Sequence, residues 1–221
     1  VKALWAKTVP TSLTKQTYER FSSPRAPTAV DFAPIKVAMP DTSNARVTGT
    51  AVLAINRKSQ DFAALQLAVN AMGGNSSSLV WKQLRETEGL AYSAGMYVAT
   101  SSFDDRSTVQ LFATSSSSNA EKALASLQSV LAKVLAEGFT QAQINQAKEA
   151  WKEKRKTFLG VERNFASTLS DALYDGFDFE EMAKFDDKIS SVDPAQASFV
   201  IRQYLKPSSI LWATGTGVPS R

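Results

Sequence analysis

Hydrophobic and polar positions divide the chain into an early part rich in strands and a later part rich in helices. A short apolar piece at 35–39 stops at Pro40, which suits an edge strand because proline cannot donate to a β-ladder. The segment FDDR at 103–106 predicts a hairpin turn between two alternating segments. Runs of strand-forming residues, some of them alternating between apolar and polar, predict four further strands, at 47–55, 90–100, 107–114 and 210–213.

Apolar residues at spacings of three and four predict the helices. The helix at 61–72 carries Phe62, Leu65 and Met72 on one stripe and ends at Gly73-Gly74, a typical C-terminal stop. The other predicted helices lie at 77–86, at 120–137, at 140–159, at 163–174, at 179–189 and at 194–205. Strands that cluster early, followed by helices and one last strand, predict an α+β domain with helices on one face of a mainly antiparallel sheet.

Length and proline distribution suggest the domain organisation. A chain of 221 residues suits one domain, and five of its eight prolines fall within 1–44 among polar residues. We predict a proline-rich linker or lead-in at 1–34, a single domain at 35–215 and a tail at 216–221. A start at Val1 rather than methionine indicates a processed product or a piece of a longer polypeptide.

Composition excludes several kinds of chemistry. The net charge of +4 is mild and basic residues alternate with acids, as in 151–156, so we do not expect nucleic-acid binding. No apolar run approaches the roughly 18 residues that would cross a bilayer, so we expect no membrane partner. The chain has no histidine and no cysteine, the nitrogen and sulfur ligands on which zinc sites depend. By itself, therefore, it cannot be a zinc peptidase.

The most informative motif reads LRETEGLAYS over 84–93 and is preceded by the turn MGGN at 72–75. A supporting motif, EGFT at 137–140, lies between two predicted helices. These motifs resemble the pitrilysin/insulinase (M16) family of zinc metallopeptidases, at the domain that lacks the zinc motif and faces the zinc-bearing domain. The resemblance implies a LuxS/mitochondrial-processing-peptidase-like metallohydrolase fold. In place of the family's zinc-binding helix, 61–72 is apolar and alanine-rich.

The resemblance also implies a site. Arg85 and Tyr92 match the arginine and tyrosine that, in relatives, reach toward the scissile peptide bond held on the zinc domain. A guanidinium can hydrogen-bond a substrate carbonyl, and a phenol can donate to the oxyanion that develops during hydrolysis. Gly89 is expected to make the turn that positions the pair, together with Gly73 and Gly74. No metal or other cofactor is expected in this chain.

The resemblance implies two partners. One is a zinc-bearing M16 domain, on the same polypeptide or a separate subunit, and the other is a peptide substrate enclosed between that domain and this one. Zinc is expected in that partner domain. Relatives suggest a bacterial periplasmic or secreted setting. Separation from the partner would expose the face that borders the chamber, so self-association of the isolated chain is also expected.

Other interpretations remain open from the residues alone. Arg85 can be an exposed arginine at a helix end and Tyr92 a half-buried strand tyrosine, with no role in chemistry. The alternative function is a structural or assembly domain that keeps the fold without any peptidase role. An independent hydrolase without zinc is a third hypothesis, although the serine runs lack a histidine base. Adjacent acids, such as those at 104–105, 180–181 and 186–187, are interpreted as turn and solvent residues.

Overall fold

The computed structural model describes residues 33–39 and 42–217. In that part of the chain, five strands form one sheet in the order β1-β5-β2-β4-β3. All neighbouring strands are antiparallel except β1 and β5, which confirms the predicted mainly antiparallel sheet. The strands are β1 (Ile35–Ala38), β2 (Asn44–Leu53), β3 (Ala91–Thr100), β4 (Ser107–Ser116) and β5 (Leu211–Thr216).

The helices follow the predicted order, with one correction. Within the described ranges they are α1 (Phe62–Gly73), α2 (Leu79–Trp81), α3 (Ala120–Glu137), α4 (Gln141–Leu159), α5 (Glu162–Asp175), α6 (Phe179–Ser191) and α7 (Pro194–Tyr204). The single helix predicted at 77–86 is instead the short α2, which continues into a π-helical turn at Lys82–Thr87. The fold is therefore the mixed α+β arrangement expected from the sequence.

The core lies between the sheet and the helices on one of its faces. Helix α1 packs on β3, and α3 packs on β4 and β2. Alternate residues of β4, from Ser107 to Ser115, are buried, whereas the residues between them are partly exposed. On the second face, Thr50 and Gln110 are partly exposed and Tyr97 is 46% exposed. Within residues 33–39 and 42–217, helices thus cover one face and leave the other partly exposed.

Capping explains where several helices begin. The side chains of Thr140, Asp178 and Asp193 each accept a hydrogen bond from the backbone N–H three residues later. In turn, the backbone N–H of each cap residue donates to the glutamine or glutamate side chain at that later position. Pro194 follows its cap at the first helical position, where the missing N–H has no intrahelical partner to lose. These local signals fix the helices that surround the sheet.

The predicted linker at 1–34 lies outside the described residues except for its last two positions, and most of the predicted tail at 216–221 does as well. The limits of the single domain at 35–215 therefore stay a prediction. Among residues 33–39 and 42–217, none of the helices has the length and apolar character needed to cross a membrane.

Candidate functional site

Arg85 extends from the π-helical turn that follows α2. Leu84 is fully buried and anchors this turn in the core, while the neighbouring Arg85 is exposed. The N–H of Glu88 donates to the carbonyl of Gln83 at 3.0 Å, a bond that spans five residues instead of four. A π turn widens the helix by one residue and occurs often at functional sites. Here it carries the arginine that the sequence singled out.

Gly89 turns the chain from this helix into β3. Its φ of 62° lies in the left-handed region, which glycine adopts without steric cost. The N–H of Leu90 donates to the carbonyl of Leu84 at 2.8 Å and closes the turn. A Cβ added at Gly89 would meet nothing within 4 Å, so the backbone conformation alone favours glycine here.

Tyr92 lies at a β-bulge in an edge strand. Ala91 pairs with Ser115 and Ser93 pairs with Thr114, which is the next residue of β4. Tyr92 is therefore an extra residue in β3 with no paired residue in β4. The bulge shifts the alternation, because Ala91 on one side of it and Ala94 on the other are both buried. Tyr92, between them, is 57% exposed. Without the bulge, alternation back from Ala94 would have directed the tyrosine into the core.

A hydrogen bond brings the two predicted site residues to one corner of the domain. Arg85 Nη1 donates at 3.2 Å to the carbonyl oxygen of Ala91, which belongs to the peptide unit that joins Ala91 to Tyr92. The guanidinium carbon also lies 5.8 Å from the Trp81 ring centroid. An arginine has five N–H donors, so within the described ranges this bond leaves most of them available. The Tyr92 hydroxyl has no hydrogen-bond partner in the same ranges.

Gly73 and Gly74 act on the neighbouring packing and not on the Arg85–Tyr92 turn itself. A Cβ on Gly73, the last residue of α1, would collide with the backbone nitrogen of Met96 in β3. A Cβ on Gly95 would lie 2.7 Å from the carbonyl oxygen of Gly73, so the two glycines let helix and strand approach closely. A Cβ on Gly74 would collide with the Asn70 side chain. The turn that joins Arg85 to Tyr92 is made by Gly89.

The acidic pairs do not form a catalytic or metal site in the described part of the chain. No group of three or more potential metal-ligating side chains comes together there. Asp105 accepts a hydrogen bond from Asn56 at 2.6 Å, and Glu181 belongs to a helix cap. Asp186 was interpreted as a solvent residue, but it accepts from Trp151 Nε1 at 3.3 Å and forms an ion pair with Arg155. That interpretation is wrong for Asp186, because its contacts with Trp151 and Arg155 join α6 to α4.

Sequence reasoning missed the backbone irregularities of the site. It identified Arg85, Tyr92 and Gly89 but not the π turn or the bulge that set their directions. The sequence gives no signal for the bulge, because Tyr92 continues the apolar alternation of Ala94, Met96 and Val98 although it is exposed in the fold. The π turn likewise has no signal in the apolar spacing.

Comparison with known proteins gives the class of this domain. A family model described as the peptidase M16 inactive domain matches residues 11–150, more than half of the chain. The chain therefore belongs to the peptidase M16 inactive-domain family, as its motifs indicated. A curated relative, an uncharacterized zinc protease of Mycobacterium leprae, is 34% identical over 85 residues, which are 38% of this chain and 19% of the relative.

Solved structures share the fold. The peptidase M16 inactive domain of Pseudomonas fluorescens aligns with a TM-score of 0.76 at 16% identity, over 91% of this chain and 47% of that one. The periplasmic protease PqqL of Escherichia coli aligns with a TM-score of 0.62 at 16% identity, over 85% of this chain and 21% of that one. The present chain thus spans about half of the Pseudomonas chain, and less of the other two proteins.

Proposed function

We propose that this domain is the partner half of a zinc peptidase and that it binds and encloses a peptide opposite a zinc-bearing domain. Membership of the inactive-domain family supports this proposal, as does the likeness to a zinc protease. The zinc-bearing domain would belong to the same polypeptide or to a separate subunit. The chain's own residues do not fit a zinc site, because α1 is apolar and the sequence holds no histidine or cysteine.

Arg85 and Tyr92 are the residues that would serve the reaction. Zinc in the partner would supply the activated water for hydrolysis. From this side of the chamber, the Arg85 guanidinium would hydrogen-bond a peptide carbonyl and orient it. The exposed Tyr92 hydroxyl would donate to the oxygen that becomes negative in the transition state. Both roles are binding and charge stabilisation, and neither needs a proton to be removed from this chain.

The observation that carries this proposal is the hydrogen bond from Arg85 to the Ala91 carbonyl. It holds the guanidinium beside the bulged tyrosine while leaving other donors available. A structural arginine at a helix end would not need a π turn, a left-handed glycine and a bulge around it. Backbone irregularities of this kind are maintained by surrounding packing and concentrate at functional sites.

Reconstitution of peptide hydrolysis tests the proposal. The zinc-bearing domain encoded with this chain is assayed alone and mixed with the chain, with metal analysis of each component. We expect the chain to be metal-free and silent by itself, and the mixture to be far more active than the zinc-bearing domain alone. Activity of the zinc-bearing domain that does not change on mixing would favour a structural or assembly role instead.

Two further properties belong to the same proposal. Likeness to a periplasmic protease supports an exported location, periplasmic or secreted. Exposed Ile35 and Val37 on edge strand β1, at 46% and 50% exposure, support self-association of the isolated chain. Light scattering over a concentration series checks the second property, and a monomer at every concentration would contradict it.

A further inference from the structure

A groove lies between the loop that connects β2 to α1 and one face of α6. It begins where the N–H of Arg57 donates to the carbonyl of Ser101 at 3.1 Å, just beyond the end of β3. Since β3 rises about 3.3 Å per residue, this point is roughly 30 Å from Tyr92. The groove is therefore separate from the Arg85–Tyr92 corner.

Three adjoining depressions make up this groove. In order along the groove, the first has a volume of about 230 Å³, the middle one about 310 Å³ and the third about 470 Å³. Phe177 and Phe185 line both the first and the middle depression, and Lys188 lines both the middle and the third. We call this surface the α6 groove and define it by six residues, Arg57, Lys58, Phe177, Lys184, Phe185 and Lys188.

Positive charge predominates in the middle depression. Arg57, Lys58, Lys184 and Lys188 line it, against the single acid Glu181. Asp175 forms an ion pair with Arg57 at 3.0 Å, and Glu180 forms one with Lys184 at 2.6 Å. In the described ranges, no acidic side chain lies within 4.0 Å of the ammonium group of Lys58 or Lys188. One oxygen of Glu181 already accepts a hydrogen bond from the N–H of Asp178 at 3.1 Å.

An aromatic ring contacts two of these cations, Arg57 and Lys58. The Arg57 guanidinium carbon lies 4.9 Å from the Phe177 ring centroid, and Lys58 Nζ lies 5.5 Å from it. Phe177 is itself fixed, because its N–H donates to the Ala172 carbonyl at 2.7 Å after the left-handed turn at Gly176. These two positive charges therefore lie against a low-dielectric ring, where attraction to an anion is stronger than in open water.

Hydrogen bonds also order the opposite wall. The N–H of Lys58 donates to Asn56 Oδ1 at 2.8 Å, and the N–H of Asn56 donates to Ser59 Oγ at 2.9 Å. The loop that presents Lys58 is thus held by its own side chains. A ligand that binds between two ordered walls loses less free energy to the ordering of the protein.

We propose that the α6 groove binds an acidic segment of a peptide, with carboxylates opposite Lys58 and Lys188. The choice of a peptide rests on the proposed function. The Phe177 ring contacts Arg57 and the Phe185 ring packs against Phe62 and Trp151, so these rings are not free for nucleic-acid bases to stack. The chain's own first 32 residues are poor candidates because Lys2, Lys7, Lys15, Arg20 and Arg25 outnumber Glu19 and Asp31.

Fluorescence anisotropy tests this inference on the full chain without any zinc domain. The probe is a labelled glutamate-rich peptide, compared with the same peptide carrying glutamine at each glutamate. The double variant Lys58→Glu/Lys188→Glu is compared with Lys122→Glu/Lys133→Glu, which makes the same charge change on exposed lysines of α3. A matched oligonucleotide of equal charge is the third probe.

We expect the glutamate peptide to bind and the glutamine peptide to bind at least about tenfold more weakly. The groove variant should weaken binding about tenfold and the α3 variant less than about twofold, with salt weakening the wild-type interaction. Equal binding of both peptides, equal weakening in both double variants, or tighter binding of the oligonucleotide would each overturn the proposal. None of these results would depend on Arg85 or Tyr92, so the two proposals fail separately.

Discussion

The two ends of β3 carry two different kinds of candidate site. At the Tyr92 end the backbone departs from regular geometry within a few residues, through the π turn, the left-handed Gly89 and the bulge. At the other end, around Arg57, the chain folds with ordinary loop geometry, and the α6 groove is formed by side chains from distant parts of the sequence. The first site depends on an unusual backbone and the second on tertiary packing.

This difference decides which site a sequence motif can reveal. An irregular backbone needs particular residues in a short span, so the first site appears as the continuous motif at 84–93. The groove takes residues from 57–58 and from 177–188, and charged residues at such positions normally indicate a solvated surface. Only the packing of α6 against the β2–α1 loop brings them together.

The largest expected effect concerns the packing of α1 against the middle of β3, between the two sites. Gly73→Ala would drive a methyl group into the backbone of Met96, which cannot move as a flexible side chain can. We expect a loss of about 3 kcal/mol in the free energy of unfolding, measured by chemical denaturation. Gly160→Ala is the matched control, because its φ is −67° and its nearest atom would be 3.2 Å away. Equal destabilisation of both variants would contradict the close approach of α1 to β3.

A smaller effect separates backbone conformation from function. Gly89→Ala and Gly176→Ala both force alanine into the left-handed region without any steric contact. Each should therefore lower the free energy of unfolding by about 1 kcal/mol. Only Gly89→Ala should also lower turnover in the reconstituted peptidase, since only Gly89 joins Arg85 to Tyr92. Equal turnover in the two variants would show that the turn does not matter for the reaction.

An effect of similar size lies at the groove end, where Asp61 lines the 470 Å³ depression. Tyr204 donates a hydrogen bond to Asp61 at 2.9 Å. Burial, with the hydrogen bond to Asp61 and its charge, raises the pKa of Tyr204 from 10.0 to about 12. The folded protein thus holds the phenol proton more tightly than the unfolded chain does. The protonated Tyr204 therefore stabilises the folded state fully below pH 10, and this stabilisation is lost as the pH rises from about 10 to about 12.

Tyr204→Phe removes that titration. We expect the variant to be less stable by about 1 kcal/mol at neutral pH. The wild-type advantage should then shrink between about pH 10 and about pH 12, as followed by denaturation across that range. A constant difference between the two proteins over the same range would mean that Tyr204 does not titrate with the shifted pKa.

Much of the fold followed from local signals. Capping residues such as Thr140 and Asp193, and glycine at the end of α1, have side-chain or backbone reasons to begin or end a helix. The β3–β4 hairpin followed from alternation. The π turn did not, because the buried residues of this segment, Val80 and Leu84, are four apart, a spacing that an ordinary α-helix also gives. Asp186 was misinterpreted because its partners, Trp151 and Arg155, lie on another helix.

The candidate site was predictable in identity and not in geometry. Arg85, Tyr92 and Gly89 came from the motif, and their resemblance to family residues suggested the chemistry. The exposure of Tyr92 depends on the register of β3 against β4, and local sequence does not specify a bulge at that position.

The most direct test compares two tyrosines on β3 in the reconstituted peptidase. Tyr92→Phe and Arg85→Ala remove the proposed donors. Tyr97→Phe removes a hydroxyl from a tyrosine that is also exposed and that donates to Gln110 at 2.7 Å. We predict that Tyr92→Phe lowers kcat by about 10²-fold, because one oxyanion donor is lost, and that Tyr97→Phe changes kcat by less than about twofold. Normal turnover after both Arg85→Ala and Tyr92→Phe would contradict the proposed role of this corner.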